Sequence, residues 1–403
     1  MKTVAIAGTF DTKGEEFLYV KNLFEEIGIK TLTINTGVFK PAFEADISNE
    51  EVIKAVGYDL KEIVEKKDRA LATECLSKGM EILVPELYKQ GKFDGIISFG
   101  GSGGTSLVTP AMRALPIGVP KIMVSTMASG NTEQYVGTSD VILIPSIVDV
   151  AGLNAISTKI FSNAVFAMAG MLKHNTKEVR NNKPLIAATM FGVTTPCIDK
   201  AKEYMEDRGY EVLVFHATGT GGKTMESLIE SGYFKGVLDL TTTEWCDEIV
   251  GGVLNAGPNR CEAAIKNNIP QVVSVGACDM VNFGPFDTIP EKFKDRKFYR
   301  HNPTVTLMRT SIDECKKIGE KLAEKWNKSK GNTTVMLPLN GVSMIDYSGQ
   351  PFCDKEADNA LFNILRNKLD KSKVNIIELE NGINDEEFAK QAAQKLIDMI
   401  ENK

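Results

Sequence analysis

The feature that most constrains this chain is a short apolar run that ends in a cluster of glycines. Residues 95–99 are followed by four glycines in five positions, and then by Thr105 and Ser106 at the start of a helical pattern. This order predicts a buried strand, a tight loop and a helix. Glycine lets the backbone approach a ligand closely, and the first turn of a helix adds partial positive charge, so the loop suits an anion such as a phosphate. The glycine spacing matches neither the P-loop nor the dinucleotide fingerprint, so the loop alone leaves ligand binding and a purely structural turn open.

The residues on either side of this loop predict an open parallel α/β sheet. The chain begins with an apolar strand at residues 3–7, an amphipathic helix at about 15–27 and a second strand at 31–35, which together make a β-α-β unit. Two more apolar runs, at 121–125 and 141–145, predict further strands of the same sheet. We therefore expect a doubly wound, Rossmann-like domain, in which ligands bind beyond the carboxyl ends of the strands.

Three polar loops follow strands of this predicted sheet. They are residues 8–14, 100–106 and 126–132, and their convergence at one edge indicates a binding site more strongly than any single loop does. In the first loop Asp11 and the two residues after it offer a carboxylate, a hydroxyl and a cation to a phosphate-bearing ligand. Capping of the next helix is the alternative role for the carboxylate and the hydroxyl.

The pattern of the first half begins again in the second half. Residues 173–184 are polar and end in proline, which is typical of a linker. The strand, helix and strand of residues 5–37 recur at 185–219, and later strands echo those of the first half. We interpret the chain as two related Rossmann-like, doubly wound domains, residues 1–178 and 179–403, and we expect a cleft between them.

The second half loses the glycine-rich loop but gathers titratable side chains at its predicted sheet edge. Residues 218–224 carry glycines and Lys223, and they are expected to open a helix at about Met225, where they could hold an anion. A histidine, carboxylates and an arginine near one edge can perform acid/base chemistry on an anionic substrate. Helix capping and ordinary ion pairing are the alternative roles for such residues. The predicted catalytic residues are His216, Glu244, Asp279, His301 and Arg309.

Composition excludes several classes of function. A net charge of −6 and a pI near 5.5, without a cluster of Lys and Arg, argue against a nucleic-acid partner. The longest apolar stretch, residues 164–172, is too short for a membrane span, and the N-terminus enters a strand without a signal-like segment, so we expect a cytoplasmic protein. The 7 scattered cysteines and the 3 histidines lack the spacings of zinc sites, so they predict no metal site of their own.

Short motifs from one end of the chain to the other carry a resemblance to a known family. They are GTFDTKGEE (8–16), GGSGGTS (100–106), SGNT (129–132), HATG (216–219), GGVL (251–254), AGPNR (256–260), DMVNFGP (279–285) and HNP (301–303). In this order they resemble the UPF0261 family, also called the Tm-1-like ATP-binding domain family. The resemblance implies a two-domain protein that forms a homodimer or higher homo-oligomer and binds ATP in its first domain, and it implies no particular reaction.

Together, the residues and the resemblance lead to one main hypothesis. We expect the first domain to bind ATP or a related nucleotide, with Mg²⁺ held through water by Asp11 or Glu16 where the metal accompanies it. The residues predicted to bind the nucleotide are Gly8, Thr9, Asp11, Thr12, Lys13, Gly100, Gly101, Ser102, Gly103, Gly104, Thr105, Ser106, Ser129, Gly130 and Asn131.

The second domain is the predicted place of any chemistry. Its acid/base residues would serve hydrolysis or C–C cleavage of a small anionic or carbonyl metabolite. The rival hypothesis is a nucleotide-gated binding or regulatory protein without turnover. A dinucleotide oxidoreductase is disfavoured, because residues 35–37 place no acidic side chain at the end of the second strand.

Overall fold

The computed structural model describes residues 1–65, 68–174 and 183–402. The chain divides into two compact units, Met1–Val179 and Arg180–Lys403. The boundary predicted between residues 178 and 179, and residues 175–182 of the predicted linker, lie outside the described residues.

The N-terminal unit alternates strands and helices. Its elements are β1 (Thr3–Gly8), α1 (Gly14–Glu26), β2 (Lys30–Asn35), α2 (Asn49–Lys54), α3 (Leu60–Glu65), α4 (Arg69–Lys89), β3 (Gly95–Gly100), α5 (Ser102–Arg113), β4 (Lys121–Ser125), α6 (Glu133–Val136), β5 (Ile142–Pro145) and α7 (Ser157–Lys173). Within the described residues these strands form one parallel sheet in the order β2-β1-β3-β4-β5. The predicted parallel, doubly wound sheet is therefore confirmed.

Strands that are apolar on both sides explain why helices cover both faces of this sheet. On β1, Val4 and Ile6 pack with the cluster that includes α1 and α7, whereas Ala5 and Ala7 pack with the cluster that includes α2, α4 and α5. Successive side chains of a strand point to opposite faces, so an apolar run without polar interruption needs helices on both sides. The sheet is thus held by two cores, and its polar loops remain at its edges.

Two further patterns in this half of the sequence can be compared with the structure: residues 48–51 predict a capping box, and residues 153–172 predict a long helix. The capping box predicted for residues 48–51 is present, since Ser48 N–H donates to Glu51 Oε2 at 2.8 Å and Glu51 N–H donates to Ser48 Oγ at 3.2 Å. The long helix predicted from residue 153 begins instead at Ser157, because Asn154 Oδ1 accepts the N–H groups of Ile156 and Ser157 at 2.9 Å and holds the preceding residues in a turn.

The C-terminal unit repeats the alternation and adds an antiparallel sheet. Its elements are β6 (Leu185–Met190), α8 (Thr195–Glu206), β7 (Glu211–His216), α9 (Thr220–Glu230), β8 (Gly236–Thr241), α10 (Glu244–Val250), α11 (Ala263–Lys266), β9 (Gln271–Gly276), β10 (Met280–Phe283), β11 (Phe298–Asn302), β12 (Val305–Arg309), α12 (Ile312–Trp326), β13 (Thr333–Pro338), α13 (Lys355–Lys368), β14 (Val374–Leu379) and α14 (Glu386–Ile400). Among the described residues, the parallel sheet has the order β14-β13-β9-β8-β6-β7 and the antiparallel sheet the order β10-β12-β11.

The strand orders support the interpretation of two related domains. The order β7-β6-β8-β9-β13 in the second unit has the same succession as β2-β1-β3-β4-β5 in the first. The antiparallel sheet has no counterpart in the sequence prediction. One boundary is wrong: helix α9 begins at Thr220 and not near Met225, so Gly221, Gly222 and Lys223 lie within its first turns.

Among the described residues, no helix has both the length and the apolar character that crossing a membrane requires.

Candidate functional site

The N-terminal sheet reverses its direction of growth between β1 and β3. From β1 the chain moves outward to β2 and then returns to β3 on the other side of β1. In open α/β sheets this reversal leaves a crevice beyond the carboxyl ends of the two central strands, where ligands bind. The loop after β1 and the glycine-rich loop after β3 border this crevice, and we call their side of the sheet the carboxyl edge.

Helix α5 presents its first N–H groups at this edge. Gly101 is the N-cap, and the N–H of Thr105 makes the first bond of the helical ladder, to Gly101 O at 3.0 Å. The N–H groups of Ser102, Gly103 and Gly104 precede that bond, and the first turn of a helix leaves such groups without an intrahelical acceptor. A methyl group added at Gly103 would meet no atom within 4 Å, so the space beside this residue in the first turn is open. The first turn of a helix with such N–H groups is a favourable place for negative charge.

The loop carries three hydroxyl side chains, of which two are exposed and one is buried. Ser102 and Ser106 are exposed, whereas Thr105 is buried. The Thr105 hydroxyl donates to Gly101 O at 2.7 Å and lies 2.6 Å from Ser125 Oγ on β4. Thr105 thus fixes the loop to the neighbouring strand, and the two serines are the side chains free to contact a ligand.

The loop after β1 is tied to its neighbours through its polar side chains. Asp11 Oδ2 accepts the N–H of Phe39 at 2.9 Å, and Thr12 Oγ1 donates to Thr9 Oγ1 at 2.9 Å. The Lys13 ammonium donates to the carbonyl of Val150. Asp11 and Thr12 therefore do not cap α1, because the N-cap of this helix is Lys13. This bond uses one of the three N–H donors of the Lys13 ammonium.

The remaining predicted residues fall into supporting and exposed groups. Gly8 ends β1 against the ring of Phe17, which leaves no space for a side chain there. Gly100 ends β3, where an added methyl would lie 3.1 Å from Gly104 Cα. The residues 129–131 after β4 are exposed, and Asn131 Oδ1 accepts the N–H of Glu133 at 3.1 Å.

Glu16 is committed to the protein itself. Its carboxylate is 3% exposed and accepts the N–H of Gly152 at 2.6 Å, which places it in the packing of α1 and not in the crevice. Of the two carboxylates predicted to hold a Mg²⁺ through water, Asp11 alone lies in the loop at the carboxyl edge.

An open groove continues from the first turn of α5. It has a volume of about 860 Å³ and runs between α4 and α5, with small and charged side chains along its walls. Its lining residues are Ala70, Thr73, Glu74, Ser77, Lys78, Glu81, Ser102, Gly103, Ser106, Pro110 and Arg113.

In the C-terminal unit, Glu244 belongs to a buried ion cluster. The Arg260 guanidinium donates to Glu244 Oε2 at 2.6 Å and to both oxygens of Asp239 at 2.6 and 2.7 Å, and it lies 3.2 Å from Glu226. Burial raises the pKa of Glu226 and of Glu244, and the Arg260 charge opposes both shifts. Glu244 is thus a partner of Arg260 and not of a histidine.

Glu244 also fills the place where the sequence predicted an anion. Its Oε1 accepts the N–H groups of Gly219 at 2.7 Å and Gly222 at 3.2 Å, at the first turn of α9. A carboxylate from the chain itself thus takes the position of the expected ligand. The first turns of α5 and α9 differ in this respect, because among the described atoms none lies within 4 Å of a methyl group added at Gly103.

Asp279 and Arg309 lie in a second buried cluster, beyond the ends of β9 and β13. Arg309 donates to Asp358 Oδ1 at 2.6 Å and lies 3.4 Å from Asp346 Oδ1, while the Ser343 hydroxyl donates to Asp279 Oδ2 at 2.8 Å. Burial raises the pKa of Asp279 to about 6 and that of Asp346 to about 8. Asp279 Oδ1 is buried without a hydrogen-bond partner among the described atoms.

The two predicted histidines are exposed, unlike the buried residues of the two ion clusters. His216 ends β7 and His301 lies on β11, and both are exposed. The His216 ring lies 5.5 Å from the ring of Phe191. The structure therefore brings Asp279 and Arg309 together, places Glu244 in the Arg260 cluster, and does not assemble the five predicted residues into one acid/base site.

Sequence reasoning missed the residues that organise these clusters. Asp239 stands in the otherwise apolar strand β8, and a lone carboxylate in such a strand demands a buried partner, a signal that could have been read. Arg260 gave no comparable signal, because it lies in a turn among Gly, Pro and Asn, where an exposed arginine is the ordinary expectation.

Comparison with known proteins assigns both halves of the chain. The model described as "Uncharacterised protein family (UPF0261) N-terminal domain" matches residues 2–177, and the one for the C-terminal domain of the same family matches residues 183–400. A UPF0261 protein of Clostridium tetani is 55% identical over 401 residues, which are 99% of this chain and 99% of that protein.

A plant protein and a solved structure complete the comparison. The ToMV resistance protein Tm-1(GCR237) of Solanum lycopersicum is 46% identical over 337 residues, which are 82% of this chain and 45% of that protein. The UDP-GlcNAc 2-epimerase from Neisseria meningitidis, bound to UDP-GlcNAc, is matched over 68% of this chain and 82% of that chain, with 10% identity and a TM-score of 0.24. A score this low does not establish a common overall arrangement.

Proposed function

Because the chain belongs to the UPF0261 family, whose description assigns no activity, we propose from the geometry of the carboxyl edge that the N-terminal unit binds a nucleotide such as ATP through its phosphates. The observation that carries the proposal is the open first turn of α5 at the reversal between β1 and β3. There the N–H groups of residues 102–104 would donate to phosphate oxygens, and the hydroxyls of Ser102 and Ser106 would add contacts.

Lys13 and Asp11 would have secondary parts in this binding. Lys13 would donate a further N–H of its ammonium to a phosphate oxygen, a charged acceptor that makes a stronger bond than a neutral carbonyl does. Asp11 would reach a hydrated Mg²⁺ that accompanies the nucleotide, since magnesium keeps several of its waters when it binds protein.

The test is calorimetric titration of the full chain with ATP, ADP, AMP and inorganic tripolyphosphate, with and without Mg²⁺. We expect ATP and tripolyphosphate to bind to the wild-type chain. Gly103→Asp should lower both affinities by more than about tenfold, because it places a negative charge where the phosphates would lie.

Gly103→Ala is the matched control for this substitution. The added methyl meets no atom within 4 Å, so the variant should fold normally and retain most of the binding. Absence of binding to ATP and to tripolyphosphate in the wild-type chain would contradict the proposal.

A second candidate function rests on Asp279. Its unpartnered Oδ1, its bond to Ser343 and a pKa raised to about 6 by burial suit a group that exchanges a proton with a small anionic or carbonyl metabolite. Ala277, two residues earlier, is fully buried with a φ of 56°, a strained conformation of the kind that clusters at functional sites. Screening metabolites by thermal shift with the wild type and Asp279→Asn tests this candidate, which requires a ligand whose stabilising effect is lost in the variant.

A further inference from the structure

The loop after β2 holds an aromatic side chain in an unusual position. Phe39 is 68% exposed, whereas the neighbouring rings of Phe10 and Phe43 stack on each other at 4.6 Å between centroids. Single exposed apolar residues are common on protein surfaces and carry no meaning alone. The significance of Phe39 therefore depends on how it is held and where it lies.

The backbone around Phe39 is fixed along the loop after β1. Thr36 N–H donates to Gly8 O at 2.8 Å, Phe39 N–H to Asp11 Oδ2 at 2.9 Å, and Ala42 N–H to Phe10 O at 3.0 Å. These three bonds anchor residues 36–42 as an arch along residues 8–11.

Buried side chains strengthen this arch from behind. Asn35 Oδ1 accepts the N–H of Gly37 at 2.9 Å, and Asn49 Nδ2 donates to Gly37 O at 2.6 Å. The Asp11 carboxylate packs so closely on Gly37 that a side chain there would collide with it. These hydrogen bonds hold the backbone of the loop, so the Cα of Phe39 stays in one place and the ring has only its own side-chain torsions to fix when a ligand stacks on it.

The position of the arch matches the proposed phosphate site. Strand β1 lies between β2 and β3, so the ends of β2 and β3 are two strand spacings apart, roughly 10 Å. The phosphates of a nucleotide at the first turn of α5 and its base on Phe39 would then lie on opposite sides of the loop after β1. The ribose, which joins the base to the phosphates, can bridge the distance between these two places.

The groove between α4 and α5 offers no comparable surface for a base. Among the described residues, those that line it include hydroxyl, charged and small side chains and one proline, but no aromatic ring. Aromatic faces are the usual platforms for nucleic-acid bases, because every base has a π-face that stacks on them.

We propose that Phe39 is the platform on which the base of a bound nucleotide stacks, so that the ligand of the N-terminal unit is a base-carrying nucleotide and not a simple phosphorylated metabolite. This inference rests on the proposed function. Stacking does not discriminate strongly among bases, so ATP and GTP should both depend on Phe39.

The test compares ATP, GTP and inorganic tripolyphosphate as ligands of the wild-type chain and of Phe39→Ala in calorimetric titrations. Phe39→Ala should weaken ATP and GTP roughly tenfold or more and leave tripolyphosphate unchanged, because only the base is lost from contact. Phe39→Tyr should keep the nucleotide affinity of the wild type, because tyrosine also has an aromatic face. Thermal unfolding of each variant should match the wild type, since the ring is exposed.

Ile147→Ala is the matched control. Ile147 is 70% exposed in the loop after β5, on the other side of the phosphate site, and its removal should not change nucleotide affinity. Equal ATP affinity in the wild type and Phe39→Ala, or a loss confined to Ile147→Ala, would overturn the inference and leave phosphate binding intact. Failure of tripolyphosphate and ATP to bind the wild type would overturn both proposals.

Discussion

Arg260 is the cation on which two buried carboxylates and one partly exposed carboxylate of the C-terminal unit depend. It is 1% exposed and contacts Glu226, Asp239 and Glu244, while Glu244 in turn accepts two N–H groups at the first turn of α9. Removing one partner of a buried ion pair leaves the other charge without compensation, which costs far more than losing a surface pair. The cluster therefore ties strand β8 and helices α9 and α10 together through one side chain.

We predict that Arg260→Met lowers the free energy of unfolding by about 3–5 kcal/mol at pH 7.5. The loss should be smaller at pH 5, where protonation relieves the carboxylates that have lost their cation. Urea denaturation at the two pH values measures the effect. Arg366→Met is the matched control, because Arg366 makes a two-bonded pair with Glu378 that is about one-third exposed, and it should cost no more than about 1 kcal/mol. Equal losses for the two variants would contradict the structural role of Arg260.

The site residues could be predicted by type and by place along the chain, but not by partner. The sequence placed Glu244 near the end of a strand, which is correct, yet its type suits catalysis and ion pairing equally. Which role it has depends on Arg260, 16 residues further on, and on the fold that brings the two together at 2.6 Å. The same holds for Lys13, whose carbonyl partner at Val150 is 137 residues away.

At the scale of elements, α5 and α9 begin in the same way, but different groups lie at their first turns. Both helices follow a strand of a parallel sheet and begin in glycine-rich sequence. Before α9 the Glu244 carboxylate lies against Gly222, whereas nothing lies within 4 Å of the position that a side chain on Gly103 would take. A helix start is a favourable place for negative charge, whether the charge comes from a ligand or from the chain itself.

This contrast makes a prediction about two helical glycines. Gly222→Ala should destabilise the chain by about 1–3 kcal/mol, because its methyl would collide with the Glu244 carboxylate. Gly103→Ala should be neutral or stabilising by up to about 1 kcal/mol, because alanine favours a helix over glycine. Chemical denaturation of the two variants and the wild type gives both numbers. A Gly222→Ala variant as stable as Gly103→Ala would contradict the close contact.

The elements themselves were largely predictable, because periodicity and strand spacing are local properties. The sequence predicts strands at 333–338 and 374–379, which are the bounds of β13 and β14, and helices that begin at 312 and 386, where α12 and α14 begin. The antiparallel sheet of β10, β11 and β12 was missed because its strands are short and two of them mix polar with apolar residues. Such strands are defined by their pairing partners, which a single sequence does not specify.

At the scale of the whole molecule, the two units share a strand order but differ in how they treat buried charge. The described core of the N-terminal unit includes Lys121 paired with Asp140, whereas the C-terminal unit buries the Arg260 and Arg309 clusters with their surplus of carboxylates. Carboxyls in excess of their cations are most stable in the fold when they are protonated. The pH dependence of stability should therefore arise mainly in the C-terminal unit.

Three aspartates define the direction of that dependence. Burial raises the pKa of Asp247 to about 7, of Asp279 to about 6 and of Asp346 to about 8, from 3.8. Because the folded state holds these protons more tightly, unfolding releases them, and the free energy of unfolding should fall as pH rises from about 4 through 8. The pKa of Glu262 is lowered to about 2 by its lysine partners against the effect of burial, and this group adds nothing above about pH 5.5, where it is ionised in both states. Urea denaturation at pH 5.5, 7 and 8.5 measures the slope of the free energy of unfolding against pH.

Asp279→Asn should flatten this slope. The variant loses one titrating group and removes the repulsion that raises the pKa of Asp346, while asparagine still accepts the Ser343 hydroxyl. A stability that rises over this range, or a slope that Asp279→Asn leaves unchanged, would show that these carboxyls are ionised in the folded chain at neutral pH.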